Sequence, residues 1–121
     1  MCKRGDIYYV DFGQNYESSK QCGIRPAVIV SNNRANEHSP IITVVPLTSK
    51  IHKKPSMPTH VLIPYSVGCG LDRSSMALAE QVETIDKAQL RDKKGCIANK
   101  GIMDQITRAL QVQIGAVERY N

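Results

Sequence analysis

Arg25 stands where a polar loop meets an apolar run, after Gly23-Ile24 and before Pro26. A guanidinium there presents planar donors that match phosphate oxygens in pairs. With an ordinary pKa above about 12 it is a poor proton shuttle, so its chemistry favours clamping an anion. An arginine before a strand also serves as a surface salt-bridge partner, and both readings stand. Thr48 and Ser49 close the apolar run at 41–47. Their hydroxyls can donate to a non-bridging oxygen or simply shape a turn. Two of the three histidines could form an acid–base pair only if the chain brought them together. His38 and His52 fall in loop sequence and His60 in a strand, and no spacing joins two of them. A structural or ligand-contacting role suits them better.

Four cysteines, Cys2, Cys22, Cys69 and Cys96, are widely spread without a C-x-x-C pair. A zinc knuckle or a disulfide framework needs closer or more regular spacing, so free thiols and no metal site are expected. The segment Lys50-Ile51-His52-Lys53-Lys54 concentrates positive charge. Lysines of this kind add affinity for a phosphate backbone and salt dependence, with little sequence discrimination. Tyr16 and Tyr65 are candidates for base stacking, or equally for covering the rim of the core.

The rest of the chain must hold these groups in place. Its 121 residues suggest one domain spanning 1–121 with a modest core, of the kind often stabilised by pairing with a second copy. Tryptophan is absent and phenylalanine occurs once, so Val, Ile, Leu and Tyr build the interior. The net charge is +5, with eight Lys/Arg against four Asp/Glu in residues 1–60 and eight against seven in 61–121. The excess in the first half suits a phosphate-bearing partner, and a solvated basic face accounts for it equally well. No run approaches the roughly 20 apolar residues of a spanning helix. The charged start, Met1-Cys2-Lys3-Arg4-Gly5-Asp6, has no apolar region behind it and is not a secretory signal. A cytoplasmic location is the expectation.

Periodicity predicts strands at 7–12, 26–31, 41–47 and 59–64, with Pro26 at the entry of the second and a perturbation near Pro46 in the third. Residues 13–23 read as a mobile loop and 32–40 as a polar connection. One or two more strands fall in 75–85, and Asp86 caps a short helix over 87–90. Ile102, Ile106, Leu110, Ile114 and Val117 recur at three and four, the stripe of a helix with Asn99 as N-cap. The sum is a mainly β chain with short helices: a small, partly open barrel closed by a C-terminal helix.

Five segments stand out together: Lys3-Arg4-Gly5-Asp6-Ile7-Tyr8, Gly23-Ile24-Arg25-Pro26-Ala27-Val28-Ile29-Val30-Ser31-Asn32, Val45-Pro46-Leu47-Thr48-Ser49, Pro58-Thr59-His60-Val61 and Glu80-Gln81-Val82-Glu83-Thr84-Ile85-Asp86. In this order they resemble the MazF/PemK family of type II toxins. Each is weak alone; their order and total length make the match specific. The resemblance implies an SH3-like barrel, a homodimer, and metal-independent cleavage of single-stranded RNA at a short sequence without a cofactor. It implies an antitoxin partner whose acidic, disordered tail occupies the RNA groove; competition for one positive field then predicts that the tail displaces the loop at 13–23 and covers Arg25. Arg25 and Thr48 correspond to the catalytic pair, with support from Ser19, Gln81 and Glu80. Ser19, Lys20 and Gln21 in the first loop and Ser49, Lys50, Lys53 and Lys54 in the basic loop are the expected RNA contacts. Cys22 departs from the family's common glycine, and Glu80 stands where some relatives carry an aspartate, which leaves the general base unassigned.

The chemistry is coherent without the family. RNA carries its own nucleophile, the 2′-hydroxyl, so an enzyme need only align it, move two protons and offset charge on the phosphorane. The resemblance implies 2′,3′-cyclic phosphate and 5′-hydroxyl ends. Toxins of the same fold that bind DNA gyrase, and non-catalytic RNA-binding barrels, are the rival readings.

Overall fold

Two apolar runs, at 26–30 and 41–47, organise the chain because both of their faces are buried. A computed structural model of the protein describes residues 1–14, 22–51 and 57–118. The runs form β2 (Ile24–Ile29) and β3 (Ile41–Thr48), antiparallel with Val28 opposite Val45. Side chains alternate across a strand. Ala27, Ile29, Ile42 and Val44 therefore pack on one face, with Val10 and Ile85. Val28, Val45 and Leu47 face the other way, onto Ile7, Ile63, Ile102 and Ile106.

Four strands extend this centre and one bends away from it. β1 (Asp6–Asp11) lies beside β2, and β7 (Leu90–Cys96) beside β1. The far edge of β3 is shared: β6 (Glu83–Asp86) takes its first half, and β5 (Ser75–Leu78) pairs with Leu47 and Thr48. β4 (His60–Ile63) borders β5. The order is β4-β5-β3-β2-β1-β7 with β6 alongside β3, and among the described residues no pairing joins β4 to β7. The sheet curls without closing, as the mainly β, partly open expectation required.

Helix α2 (Lys100–Gln113) packs on the face that carries Val28, Val45 and Leu47. Asn99 caps it by accepting from the Ile102 N–H at 3.0 Å, and Ile102, Ile106 and Ala109 are buried. The apolar stripe predicted to reach Val117 stops early. Gly115 adopts φ +76° just past the helix, a left-handed stop that leaves Ile114 73% exposed.

Three local expectations need correction. Residues 32–40 are not merely a polar connection: they contain α1 (Asn33–His38), with Asn32 accepting from the Ala35 N–H at 2.8 Å. The short helical turn after Asp86 is 3₁₀ and ends at Gln89, so Leu90 begins β7. That strand has a polar sequence, Leu-Arg-Asp-Lys-Lys-Gly-Cys, and holds its place by pairing with β1, which no periodicity reveals. Finally, β3 runs through Pro46 to Thr48 without a break. On the outer edge of β3, pairing with β6 ends at Val44 and pairing with β5 starts at Leu47. Pro46 falls in that gap, where its missing N–H costs no ladder bond on that edge.

Candidate active site

The same two prolines mark where a cleft opens. β2 and β3 pair from Ile29–Val44 to Ala27–Pro46, and the register continued by two residues would set Arg25 against Thr48. The strands separate first. Ile24 and Arg25 stay with β1, opposite Asp11 and Val10, while Leu47 and Thr48 turn to β5. Pro26 therefore stands third in β2, not at its entry, and on its β3 side the ladder begins only at Ala27.

Between the diverging ends lies a cleft of about 180 Å³, with Arg25 and Pro26 on one wall and Thr48, Ser49 and Lys50 on the other. Its remaining wall brings Tyr9 of β1, Lys94 of β7, and Leu71, Asp72, Arg73 and Ser75 from the segment leading into β5. A wider, shallower depression of about 620 Å³ lies over α1, lined by Asn32, Arg34, Ala35, His38 and Ser39. The smaller cleft is the stronger candidate because it unites the guanidinium with a hydroxyl and further cations.

Arg25 is exposed, and its Nε donates to the Cys22 carbonyl at 3.1 Å. Among the described residues no hydrogen bond reaches its two terminal nitrogens, and the residue lines the cleft. Thr48 accepts from the Lys50 N–H at 3.1 Å, which fixes the oxygen and leaves its proton to donate elsewhere. Four cations and one carboxylate line the cleft. That carboxylate, Asp72, bonds the Lys94 ammonium at 2.9 Å. The hydrogen bond holds the Asp72 carboxyl below its ordinary pKa and raises that of Lys94.

The Asp72–Lys94 contact depends on glycine. A Cβ at Gly95 would meet the Cys69 carbonyl oxygen at 2.1 Å, and one at Gly70 would meet the Lys94 carbonyl oxygen at 2.6 Å. Only with both side chains absent can the two backbones touch.

A family model for the "PemK-like, MazF-like toxin of type II toxin-antitoxin system" matches residues 3–114. The chain belongs to this family. It is 37% identical to Endoribonuclease MazF of Staphylococcus saprophyticus over 95% of this chain and 92% of that one. It is 36% identical to Endoribonuclease EndoA of Bacillus subtilis over 98% of each. An endoribonuclease solved with its cognate antitoxin from a mycobacterial species superposes with a TM-score of 0.78 at 29% identity, covering 98% of this chain and all of that one. MazF from Deinococcus radiodurans, at 21% identity and a TM-score of 0.75 over 94% of this chain and 96% of that one, shares the fold.

The PemK/MazF motifs divide by task. Arg25, Thr48, Ser49 and Lys50 converge on the cleft. Glu80 and Gln81 do not join them; they lie in a 3₁₀ turn beyond the far end of β5 from Ser75. There one Glu80 oxygen accepts from Thr59 Oγ1 at 3.0 Å, and the other lies 2.8 Å from His60 Nε2. The His60 side chain is only 6% exposed, so this knot ties β4 to the end of β5. Arg4 donates to the Val30 carbonyl and to Thr107 Oγ1, docking α2 against the end of β2. Tyr65 is exposed and lies outside the cleft lining. Ser19, Lys20, Gln21, Tyr16, His52, Lys53 and Lys54 lie outside the described residues.

Tyr9, Asp72, Arg73 and Lys94 are cleft residues that sequence reasoning did not single out. Asp72, Arg73 and Lys94 come from segments with no distinctive spacing, and Tyr9 from a strand whose pattern speaks only of packing. The one available signal was the pair of glycines, Gly70 and Gly95, each beside a cysteine. All four cysteines stand as free thiols. No helix among the described residues is long and apolar enough to cross a membrane.

Proposed function

We propose that this chain is the toxin of a type II toxin–antitoxin pair, a sequence-specific and metal-independent endoribonuclease acting on single-stranded RNA. The observation that carries the reading is the convergence of Arg25 and Thr48 on one cationic cleft, within a chain of the PemK/MazF family. Relatives named endoribonuclease, at 36–37% identity over nearly the whole chain, support the reaction class.

In this reading the scissile phosphate sits between Arg25 and Thr48. The 2′-oxygen attacks phosphorus, the P–O5′ bond breaks, and the products carry 2′,3′-cyclic phosphate and 5′-hydroxyl ends. The 2′ proton leaves as the new bond forms, and the 5′ oxygen acquires one. The terminal nitrogens of Arg25 bind the non-bridging oxygens, and their positive charge offsets the charge that develops there. Thr48 Oγ1 donates to the same group. Because the nucleophile belongs to the substrate and a guanidinium supplies the electrostatic help, the step needs neither a metal-bound water nor a cofactor.

Lys50 holds a flanking phosphate, together with Ser49 and the loop residues Ser19, Lys20, Gln21, Lys53 and Lys54. Gln81 and Glu80 meet the RNA only where the strand runs past the cleft along β5, and Glu80 serves there chiefly by holding His60. The chain acts as one domain, as a homodimer in the cytoplasm. Its partner is an antitoxin with an acidic tail that competes for the same positive field; an endoribonuclease–antitoxin complex among the structural neighbours supports this.

The test is cleavage of a long single-stranded RNA in excess EDTA by the wild type and by Arg25→Ala, with the cut ends mapped. Discrete cuts at a repeated short sequence, retained in EDTA and lost in the variant, are expected. A pure, folded, antitoxin-free protein that cuts none of many RNA sequences would instead be a gyrase-binding toxin or a binding module.

A further inference from the structure

The cleft contains an ion pair that the reaction just described leaves unused. Lys94 Nζ lies 2.9 Å from Asp72 Oδ2 and 5.9 Å from the centre of the Tyr9 ring. Three features set it apart from an ordinary surface contact. The first is its place, in the same cleft as Arg25 and Thr48. The second is the backbone beneath it. Between the pairs Ile7–Gly95 and Tyr8–Lys93 the register of β7 slips, and Lys94 is the extra residue of that bulge. Bulges re-aim side chains, and this one lays the lysine across Tyr9. Its strand neighbours Arg91 and Lys93 pair elsewhere, with Asp11 and Asp6.

The third feature is the carboxylate. The Asp72 side chain is 84% exposed, against 20% for Lys94, and among the described residues Lys94 is its one hydrogen-bond partner. A carboxylate offers an ammonium the same ligand as a phosphate does, an anionic oxygen. An ion pair with one partner this exposed contributes little net stability, so a competing anion has little to overcome in replacing the carboxylate.

We propose that Lys94 is a phosphate-binding residue of the cleft, and that Asp72 occupies it in the free protein until a phosphate of the bound RNA displaces it. The inference rests on the ribonuclease reading above and adds a site to it. It fixes the signs of two substitutions. Losing Lys94 weakens RNA binding, whereas losing Asp72 strengthens it, and the second effect requires Lys94. A clamp that merely ties the segment around Asp72 to β7 would make both losses act in one direction.

The experiment measures binding of a fluorescent, mixed-sequence 2′-O-methyl RNA, which has no free 2′-hydroxyl, across a salt series. Lys94→Gln should weaken binding about three- to tenfold and reduce the log–log salt slope by about one. Lys94→Arg should restore most of the affinity. Asp72→Asn should tighten binding about two- to fivefold, and that gain should vanish in the Lys94→Gln background. Asp92→Asn, the same charge change on exposed β7 outside the cleft, calibrates the long-range field and should move affinity less. The proposal is overturned by unchanged binding in Lys94→Gln, by weaker binding in Asp72→Asn, or by a gain that persists without Lys94. Wild-type cleavage in EDTA is read in parallel. A wild type that cuts RNA while these variants miss their signs defeats this inference alone; one that neither binds nor cuts defeats the ribonuclease reading as well.

Discussion

The two ends of β2 carry similar residues and use them in opposite ways. At the Val30–Ser31 end, Arg4 bonds the Val30 carbonyl and Thr107, while the fully buried Asn36 donates to the Ser31 carbonyl at 2.9 Å and to Asn33 Oδ1 at 3.2 Å. Ser31 Oγ donates to Asn36 Oδ1 and accepts from the Thr43 N–H at 3.0 Å. At the Ile24–Arg25 end the guanidinium makes, among the described residues, one hydrogen bond, to the Cys22 carbonyl, and lines a cleft. Arg4 and Arg25 both stand in family motifs, yet only one is available for chemistry. Hydrogen-bonding capacity already engaged by the protein holds the fold, and capacity left open is what a substrate can use.

The largest effects should separate these ends cleanly. Arg25→Ala should lower the cleavage rate about a hundredfold or more while changing stability by no more than about 0.5 kcal/mol. Rapid single-turnover assays beside thermal unfolding would show it; a comparable loss of stability would break the contrast. Asn36→Ala is the mirror image. It leaves buried partners of Ser31 and Asn33 unmatched and should cost about 1–3 kcal/mol, with the rate per folded molecule unchanged.

Arg4→Ala should behave like Asn36→Ala, because a charged donor bonded to a carbonyl and a hydroxyl contributes about 1.5–3 kcal/mol. Chemical denaturation reads this directly, and a variant that stays stable but loses cleavage would move Arg4 to the open end. Lys50→Ala should produce a smaller change: a few-fold weaker RNA binding and a salt slope lower by about one, with no change in the mapped cut sequence. The smallest effect concerns pH. Lys94 holds the folded Asp72 pKa below its unfolded value, so the pair contributes above the ordinary carboxylate range. That contribution fades as pH falls through the lowered value. The wild type and Asp72→Asn should therefore differ slightly in Tm at neutral pH and converge in acid; a difference that grows in acid would contradict the assignment.

Much of this molecule could be read from its residues. The apolar runs at 26–30 and 41–47 specified central strands, because strands buried on both faces need apolar residues at every position. The Asn99 cap and the stripe through Ile102 and Ile106 specified α2, and the ordered motifs from Lys3 to Asp86 specified the family. Arg25 and Thr48 were recognisable as a pair for the same reason.

The sequence by itself thus determined the strand-rich class, the terminal helix and which guanidinium to suspect. Only the tertiary structure decided that β2 and β3 part beyond Ala27 and Pro46, opening a cleft between Arg25 and Thr48. It also decided that Glu80 is engaged with Thr59 and His60, and that β7 delivers Lys94 to Asp72 through contact between two glycine backbones. The physical reason is common to all three. Periodicity and motifs record which way a side chain points relative to its own strand, whereas a cleft depends on where neighbouring strands stop pairing, and that is fixed by contacts between residues far apart in the chain.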